Sequence, residues 1–189
     1  MKIWFQVLAL TAMICLVFST GMPQAQASGP MNRNFGIGLS FGAPTSITGK
    51  YYFAGGDAFD FHVGSNHNWY YSNGLFLAGD YLMHIWTFVE NSTLKMPFYA
   101  GIGGFAAFAL GGYNCNRRNR WNCHEPYDFG IGARIPIGTA IQFNTAPFEI
   151  YFELSPTLGM YFRDSFTGYR TDVGFHIAPA ALGARFYFE

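Results

Sequence analysis

A two-residue alternation of apolar and small or polar side chains recurs in eight segments of this chain. In Phe35–Gly42 every odd position is large and apolar, and every even position is glycine or serine. Successive strand side chains point to opposite faces, so this segment has one apolar face and one face with almost no side chains. In the other segments, charged residues share the second face. The pattern predicts an all-β fold, an eight-stranded antiparallel up-and-down transmembrane β-barrel with lipid outside and a filled polar interior.

The alternation also predicts where the strands lie. The expected strands cover residues 34–42, 45–53, 58–66, 75–86, 97–109, 127–138, 147–161 and 172–188. About ten residues at ~3.3 Å each, tilted near 40°, cover about 25 Å, the height of the apolar band of an outer-membrane barrel. In the last strand the apolar positions change from odd (Val173, Phe175) to even (Leu182, Phe186) around Pro179, which predicts a bulge there. Residues 139–146 are expected to form a connection.

The N-terminal segment has the three parts of a secretory signal peptide. Lys2 supplies the positive charge, residues 3–19 are mostly apolar, and Ala25-Gln26-Ala27 is an A-x-A site. Cleavage after Ala27 would leave residues 28–189 as a single barrel domain. Export to the bacterial outer membrane is therefore the expected localisation.

Cysteine usage agrees with export. Cys15 would leave with the signal peptide, and Cys115 and Cys123 would remain as one pair, which predicts a disulfide in an oxidising compartment. A zinc site formed by these two cysteines and His124 has the wrong ligand spacing and lacks a fourth ligand. No metal and no cofactor are expected. The glycines of residues 101–106 match a dinucleotide fingerprint by letter, but no helix follows them.

The charge content bears on partners and on the kind of barrel. Charged residues make up 12 % of the chain, against about 25 % in ordinary soluble domains. Eleven Lys and Arg balance eleven Asp and Glu, so no basic field favours nucleic acid. A soluble barrel such as a lipocalin is the alternative, because it also has one apolar face. The second face here is rich in glycine, which favours the crowded interior of a membrane barrel.

Several segments resemble a family of small bacterial outer-membrane barrels of unassigned function, known from spirochaetes and other Gram-negative-type bacteria. The resemblance covers nearly all of the chain after residue 27, and its architecture is similar to the OmpA and OmpX barrels. It implies fold and location but no agreed reaction, and barrels of this kind are recognised by the barrel-assembly machinery. We expect a monomer. The segments that carry it are residues 42–52, 58–61, 79–84, 97–103, 134–138, 147–153 and 183–188.

The predicted interior face carries thirteen ionisable residues. A buried ion is costly unless it is paired and hydrogen-bonded, so these residues are expected to form a structural network across the lumen. The residues are Lys50, Asp60, His62, Asp80, His84, Lys95, Asp128, Arg134, Glu149, Glu153, Asp172, His176 and Arg185. An alternative is a lipid-modifying outer-membrane enzyme that uses an Asp–His pair as general base. The spacing places no Ser-His-Asp set at one rim, so we expect no enzymatic activity.

The longest connection, residues 110–126, is rich in arginine. Arg117, Arg118, Arg120 and Trp121 lie between the two cysteines. Guanidinium groups beside aromatic rings suit the phosphate or sulfate groups of lipopolysaccharide or host glycans, whereas a solvated loop is the simpler interpretation. The expected function is structural and interactive, in envelope integrity or in ligand binding by external loops. A narrow pore is the second hypothesis, although eight strands enclose room only for side chains.

Overall fold

The computed structural model describes residues 29–53, 56–65, 74–109, 114–115, 123–124, 128–165, 168–176 and 179–188. We number its barrel strands β1 to β8. They are β1 (Phe35–Gly42), β2 (Thr45–Tyr52), β3 (Ala58–Ser65), β4 (Gly74–Glu90), β5 (Leu94–Ala109), β6 (Phe129–Arg134 and Ile137–Phe143), β7 (Phe148–Leu154 and Thr157–Ser165) and β8 (Gly168–His176 and Ala180–Phe188). A 3₁₀ turn, Pro30–Asn32, precedes β1. Among the described residues, no helix has the length and apolar character needed to cross a membrane.

Every barrel strand pairs with its neighbours in the sequence, always antiparallel. The sheet closes because β8 returns to β1, with a register that runs from Phe35 opposite Phe188 to Gly42 opposite Ala181. The predicted all-β class and the closed eight-stranded antiparallel up-and-down barrel are therefore confirmed.

Several strands extend beyond the predicted limits. β4 continues to Glu90 and β5 begins at Leu94, so their connection is the three residues 91–93. The Asn91 side chain closes this turn by accepting hydrogen bonds from the backbone N–H groups of Thr93 and Leu94, both at 2.9 Å. The expectation of a connection over residues 139–146 was wrong, because β6 runs to Phe143 and pairs there with β5 and β7.

Three neighbouring strands bend in line, each at a proline. Proline has no N–H to donate to the ladder, but its carbonyl still accepts, and the barrel stays paired across the bend. The bridging bonds run from Gly101 N–H to Pro136, from Ile135 N–H to Pro156 and from Ser155 N–H to Pro179, at 2.8, 2.9 and 2.9 Å. As predicted, the outward-facing positions of β8 change from odd to even numbers between its two segments. Val173 and Leu182 are both exposed.

The two faces of the barrel differ completely. The outer face is apolar, and β4 keeps it so through register irregularities after His84, where Trp86 and Phe88 become exposed. The buried face carries ions, hydroxyls and tyrosine rings, together with a smaller apolar cluster that contains Phe76 and Phe105. Glycines make room for those rings: a Cβ on Gly36 would collide with the ring of Tyr187, and a Cβ on Gly183 with the ring of Tyr151.

Candidate functional site

The ionisable side chains buried inside the barrel come from six of its eight strands. Nine of the thirteen residues predicted for the interior are buried there, each at most 5 % exposed. They come from β2 (Lys50), β3 (Asp60, His62), β4 (Asp80, His84), β6 (Arg134), β7 (Glu149, Glu153) and β8 (Arg185). We call these nine residues the lumen network.

Arg185 bonds to two acids and a hydroxyl in the interior. Its Nη1 donates to Glu149 Oε1 at 2.9 Å, and its Nη2 donates to Asp60 Oδ2 at 2.5 Å and to Thr48 Oγ1 at 2.8 Å. The guanidinium lies 3.8 Å from the centre of the Tyr151 ring, within the range of a cation–π contact. Arg185 thereby links β8 to β2, β3 and β7 across the lumen.

Lys50 occupies a cage formed by an acid, an imidazole and two aromatic rings. Its Nζ lies 3.8 Å from Glu149 Oε1 and 3.3 Å from His84 Nε2. The rings of Tyr52 and Tyr99 lie 4.7 and 4.8 Å from the same nitrogen. These contacts replace the water that the ammonium group loses on burial.

The second oxygen of Glu149 is also satisfied. Oε2 accepts hydrogen bonds from Tyr52 Oη at 3.1 Å and from Gln142 Nε2 at 2.9 Å. Gln142 also donates to Tyr52 Oη, at 2.6 Å. Both carboxylate oxygens of this buried acid therefore have partners, as a stable buried charge requires.

Arg134 forms the second centre of the network, beside the proline bend. Its Nη2 donates to Glu153 Oε1 at 2.7 Å and to Ser155 Oγ at 2.9 Å, and its Nε lies 3.1 Å from Asp80 Oδ2. Tyr99 Oη donates to the other oxygen of Glu153 at 3.2 Å. β4, β5, β6 and β7 are joined at this point.

A serine, a histidine and an aspartate lie next to one another in this interior. Ser46 Oγ is 3.1 Å from His62 Nδ1, whereas His62 Nε2 is 3.7 Å from Asp60 Oδ2 and has no hydrogen-bond partner. A catalytic relay needs hydrogen bonds on both ring nitrogens, and Ser46 is only 5 % exposed. The three residues meet, but the geometry is not that of a nucleophilic triad.

Four of the predicted interior residues are less buried than the lumen network or are only partly described. Lys95 lies at the beginning of β5 opposite the buried Gln142, and its Nζ pairs with the exposed Glu90 at 3.4 Å. The assignment of Asp128 to the interior was wrong: it immediately precedes β6 and is exposed. Asp172 lies in β8 opposite the buried Tyr161 and is partly exposed. His176 ends the first segment of β8, and its side chain lies outside the described part of the structure.

The loop predictions fall largely outside the described residues. Arg117, Arg118, Arg120 and Trp121 are among residues 116–122, which the structure does not describe. Asn114–Cys115 and Cys123–His124 form a separate two-stranded ribbon, in which Cys115 and Cys123 are backbone partners. The predicted disulfide concerns side chains beyond the described part, so it stays a prediction.

Several uncharged members of the interior were not predicted. Four tyrosines and one amide are among them: Tyr52, Tyr99, Tyr151, Tyr187 and Gln142. Their position in the alternation carries the signal, because each tyrosine shares its parity with a charged residue of the same strand. Gln142 was missed because its segment was expected to be a connection.

The fold and the network define this chain as a closed eight-stranded β-barrel whose interior contains a network of paired ions. Residues 27–180 match the model of a family described as "Protein of unknown function (DUF3996)", and the chain belongs to that family. No curated protein and no solved structure matches it.

Proposed function

We propose that this protein is a monomeric barrel of the bacterial outer membrane with a closed lumen, and that it serves in envelope integrity or in ligand binding by its external loops. One observation carries the proposal: the nine ionisable residues of the lumen network are buried, whereas many large apolar side chains are exposed. In a water-soluble domain the charged side chains cover the surface and the apolar ones form the core. A bilayer favours the opposite arrangement.

The exposed apolar side chains form a continuous wall. Ile102, Leu39 and Leu182 are 63, 54 and 55 % exposed, and they lie on three different strands. Soluble monomers rarely present apolar patches larger than a few hundred Å². Closure of the sheet is the second requirement for a lipid environment, because it leaves no row of unpaired backbone groups in hydrocarbon.

The rim that carries the chain ends has an aromatic belt. Exposed aromatic side chains cluster where β2, β3, β4 and β8 reach this rim: Tyr51, Phe53, Phe59, Tyr81, Trp86, Phe88, Phe186 and Phe188. Tyr81 is typical of such a belt, because its ring lies against apolar neighbours while its hydroxyl donates to Asp57 in the adjoining turn. Belts of this kind are found where outer-membrane barrels meet the headgroup layer.

The filled interior supports a closed lumen. Arg185 spans from β8 to β3, and Arg134 spans from β6 to β4. Tyrosine rings occupy the space between these ion pairs. Eight strands enclose little more than the volume of their own side chains, so we expect no large steady conductance. A narrow pore is the outcome that would contradict this part of the proposal.

The proposed ligand-binding role depends on the external loops. Residues 66–73 and 110–127 connect strands at the rim opposite the chain ends, which faces outward if the ends are periplasmic. Arg117, Arg118 and Arg120 carry charges suited to lipopolysaccharide phosphates or to an anionic surface ligand, and Trp121 adds an aromatic ring beside them in the sequence. We propose no enzymatic activity, because Ser46, His62 and Asp60 are buried without a relay geometry.

Fractionation and gel migration test the membrane assignment. We expect the protein in the outer-membrane fraction after a carbonate wash, and a change of migration in SDS gels after boiling, because a folded barrel resists detergent until heated. Recovery in the osmotic-shock fluid without such a shift would reject it. Planar-bilayer recordings of the refolded protein should show no steady conductance.

Replacement of the loop arginines tests the binding role. The triple variant Arg117→Ser, Arg118→Ser, Arg120→Ser should keep the heat-dependent gel shift but lose binding to lipopolysaccharide or to sulfated glycan in a pull-down. The double variant Lys95→Ser, Arg33→Ser, which removes cations at the opposite rim, is the control. Equal binding by the triple variant and the wild type would leave only the structural role.

A further inference from the structure

We propose that Asp60, His62 and Glu153 form a binding site for one divalent transition-metal ion, with Zn²⁺ as the representative cation, inside the barrel. Each residue offers one ligand atom, and these atoms all lie within 4.8 Å of one another. All three side chains are buried. One imidazole and two carboxylates are a donor set that binds Zn²⁺ and related divalent ions.

The spacing of the ligand atoms is close to that of an occupied site. Ligands at about 2.0–2.2 Å from a tetrahedral zinc ion lie about 3.3–3.6 Å from one another. The three atoms therefore need to approach by about an ångström. Asp60 and His62 project from one strand, β3, whereas Glu153 comes from β7. A bound ion would consequently join two walls of the barrel.

His62 supplies the observation that points to a ligand. Its Nδ1 lies 3.1 Å from Ser46 Oγ, and a proton on Nδ1 donated to this oxygen leaves a lone pair on Nε2. Nε2 is buried and has no hydrogen-bond partner. Metal-binding histidines almost always use their second ring nitrogen in such an outer hydrogen bond. A metal ion would satisfy a nitrogen that otherwise carries the cost of burial without a bond.

The charges of the lumen network are compatible with one additional cation. The lumen network contains four carboxylates against Lys50, Arg134 and Arg185, so with neutral imidazoles its net charge is negative by one. A divalent ion changes that charge to plus one, which is no larger in magnitude.

The two arginines nearest the site already fix its carboxylates. Arg185 donates to Asp60 and Arg134 donates to Glu153. Asp80 is the backbone partner of Asp60 and pairs with Arg134 Nε at 3.1 Å, so it can retain this guanidinium when Glu153 turns toward the ion. This contact is an ion pair without hydrogen-bond angles, so neither Asp80 oxygen accepts a hydrogen bond.

No sequence motif predicts this site. Asp60 and His62 are two residues apart, and Glu153 follows more than ninety residues later, so the spacing predicts no metal. The three residues meet only because the sheet closes.

Metal titration of the refolded, untagged full-length protein tests the site. The experiment uses the double variant Cys115→Ser, Cys123→Ser as background, so that loop thiols bind no metal. After EDTA treatment and dialysis, we expect one Co²⁺ or Zn²⁺ per chain, a visible Co²⁺ absorption band of low-coordinate ligation, and a higher temperature for the gel shift. Absence of stoichiometric binding of either ion overturns the proposal.

Matched histidine variants locate the bound ion. His62→Gln should weaken Co²⁺ binding by about tenfold or more. His84→Gln, which alters a buried histidine bonded to Lys50, should retain one ion per chain. Equal binding by His62→Gln and the parent would also overturn the proposal. If His62→Gln does not fold, the stoichiometry and the Co²⁺ spectrum of the parent decide alone.

Discussion

Arg185 and Glu149 are backbone partners in the pairing of β8 with β7, and their side chains form a fully buried ion pair with a nitrogen–oxygen distance of 2.9 Å. The same guanidinium reaches Asp60 on the far wall. One side chain of β8 therefore joins this strand to β7 and to β3. An arginine suits this position because its planar fork can donate to two acids and a hydroxyl at once.

Replacement of Arg185 should destabilise the barrel strongly. In Arg185→Met, Glu149 keeps Lys50, Tyr52 and Gln142, but Asp60 loses its closest cation. Removal of one partner from a buried pair costs about 3–5 kcal/mol. We expect a loss of this order in the free energy of unfolding, measured by urea titration in detergent with the gel shift as readout.

An ion pair at the rim provides the control for Arg185. Lys95, whose side chain is 12 % exposed, pairs with Glu90, whose side chain is 62 % exposed. Water screens a pair with one partner this exposed, and such pairs contribute about 1 kcal/mol or less. Lys95→Met should therefore leave the urea midpoint almost unchanged. Comparable losses in Arg185→Met and Lys95→Met would show that the lumen network does not hold the barrel together.

The sequence determined which face each residue occupies, but not which residues meet. Alternation places Arg134, Glu153 and Asp80 on one face, because parity is a local property of a strand. The pairing of Arg134 with both acids follows from closure and from the offset between strands. Those quantities depend on the whole sheet, and no local pattern encodes them.

The strand ends were predicted less well for a related reason. The sixth strand was expected to end at residue 138, and residues 139–146 were expected to form a connection. In the closed sheet the Pro136 carbonyl accepts from Gly101 N–H, and β6 continues for seven more residues as Ile137–Phe143. Backbone pairing with the neighbouring strands continues β6 beyond Pro136. The residue pattern of one segment does not predict that pairing.

Enlargement of a lumen glycine should interfere with a tyrosine ring. In Gly183→Ala the new methyl group would collide with the ring of Tyr151, which is held between the strand and the Arg185 guanidinium. Overpacking of this kind costs about 1–3 kcal/mol. We expect a lower urea midpoint, or a smaller fraction of heat-shifting protein after refolding.

A glycine on the outer face provides the control. It separates this steric effect from any general destabilisation of these strands by alanine. At Gly104 the nearest neighbour of an added Cβ is the Gly132 carbonyl oxygen, at 3.3 Å. Gly104→Ala should therefore alter the midpoint less than Gly183→Ala. The reverse order of the two variants would contradict the assignment of Gly183 to a filled interior.

A charge on the outer wall tests the lipid environment directly. Leu182 is 55 % exposed and lies between the aromatic residues at the end of β8 and the bend at Pro179. In hydrocarbon, Leu182→Arg should cost about 2–4 kcal/mol, whereas the same change at the rim residue Phe53 should cost about 0–1 kcal/mol. In a water-soluble barrel both changes would be nearly neutral. Refolding into bilayers across a urea series measures the difference.

The pairing of Cys115 with Cys123 yields the last prediction. The two residues are partners in a ribbon that is separate from the barrel sheet, and an exported protein encounters an oxidising compartment. We expect no thiol reactive toward maleimide in the folded, unreduced protein and two after reduction.

Because the ribbon contributes no strand pair to the barrel, reduction should leave the gel-shift temperature unchanged. It should instead speed protease cleavage between residues 110 and 127, since the cross-link no longer restrains that loop. Two reactive thiols in protein taken directly from cells would disprove the bond.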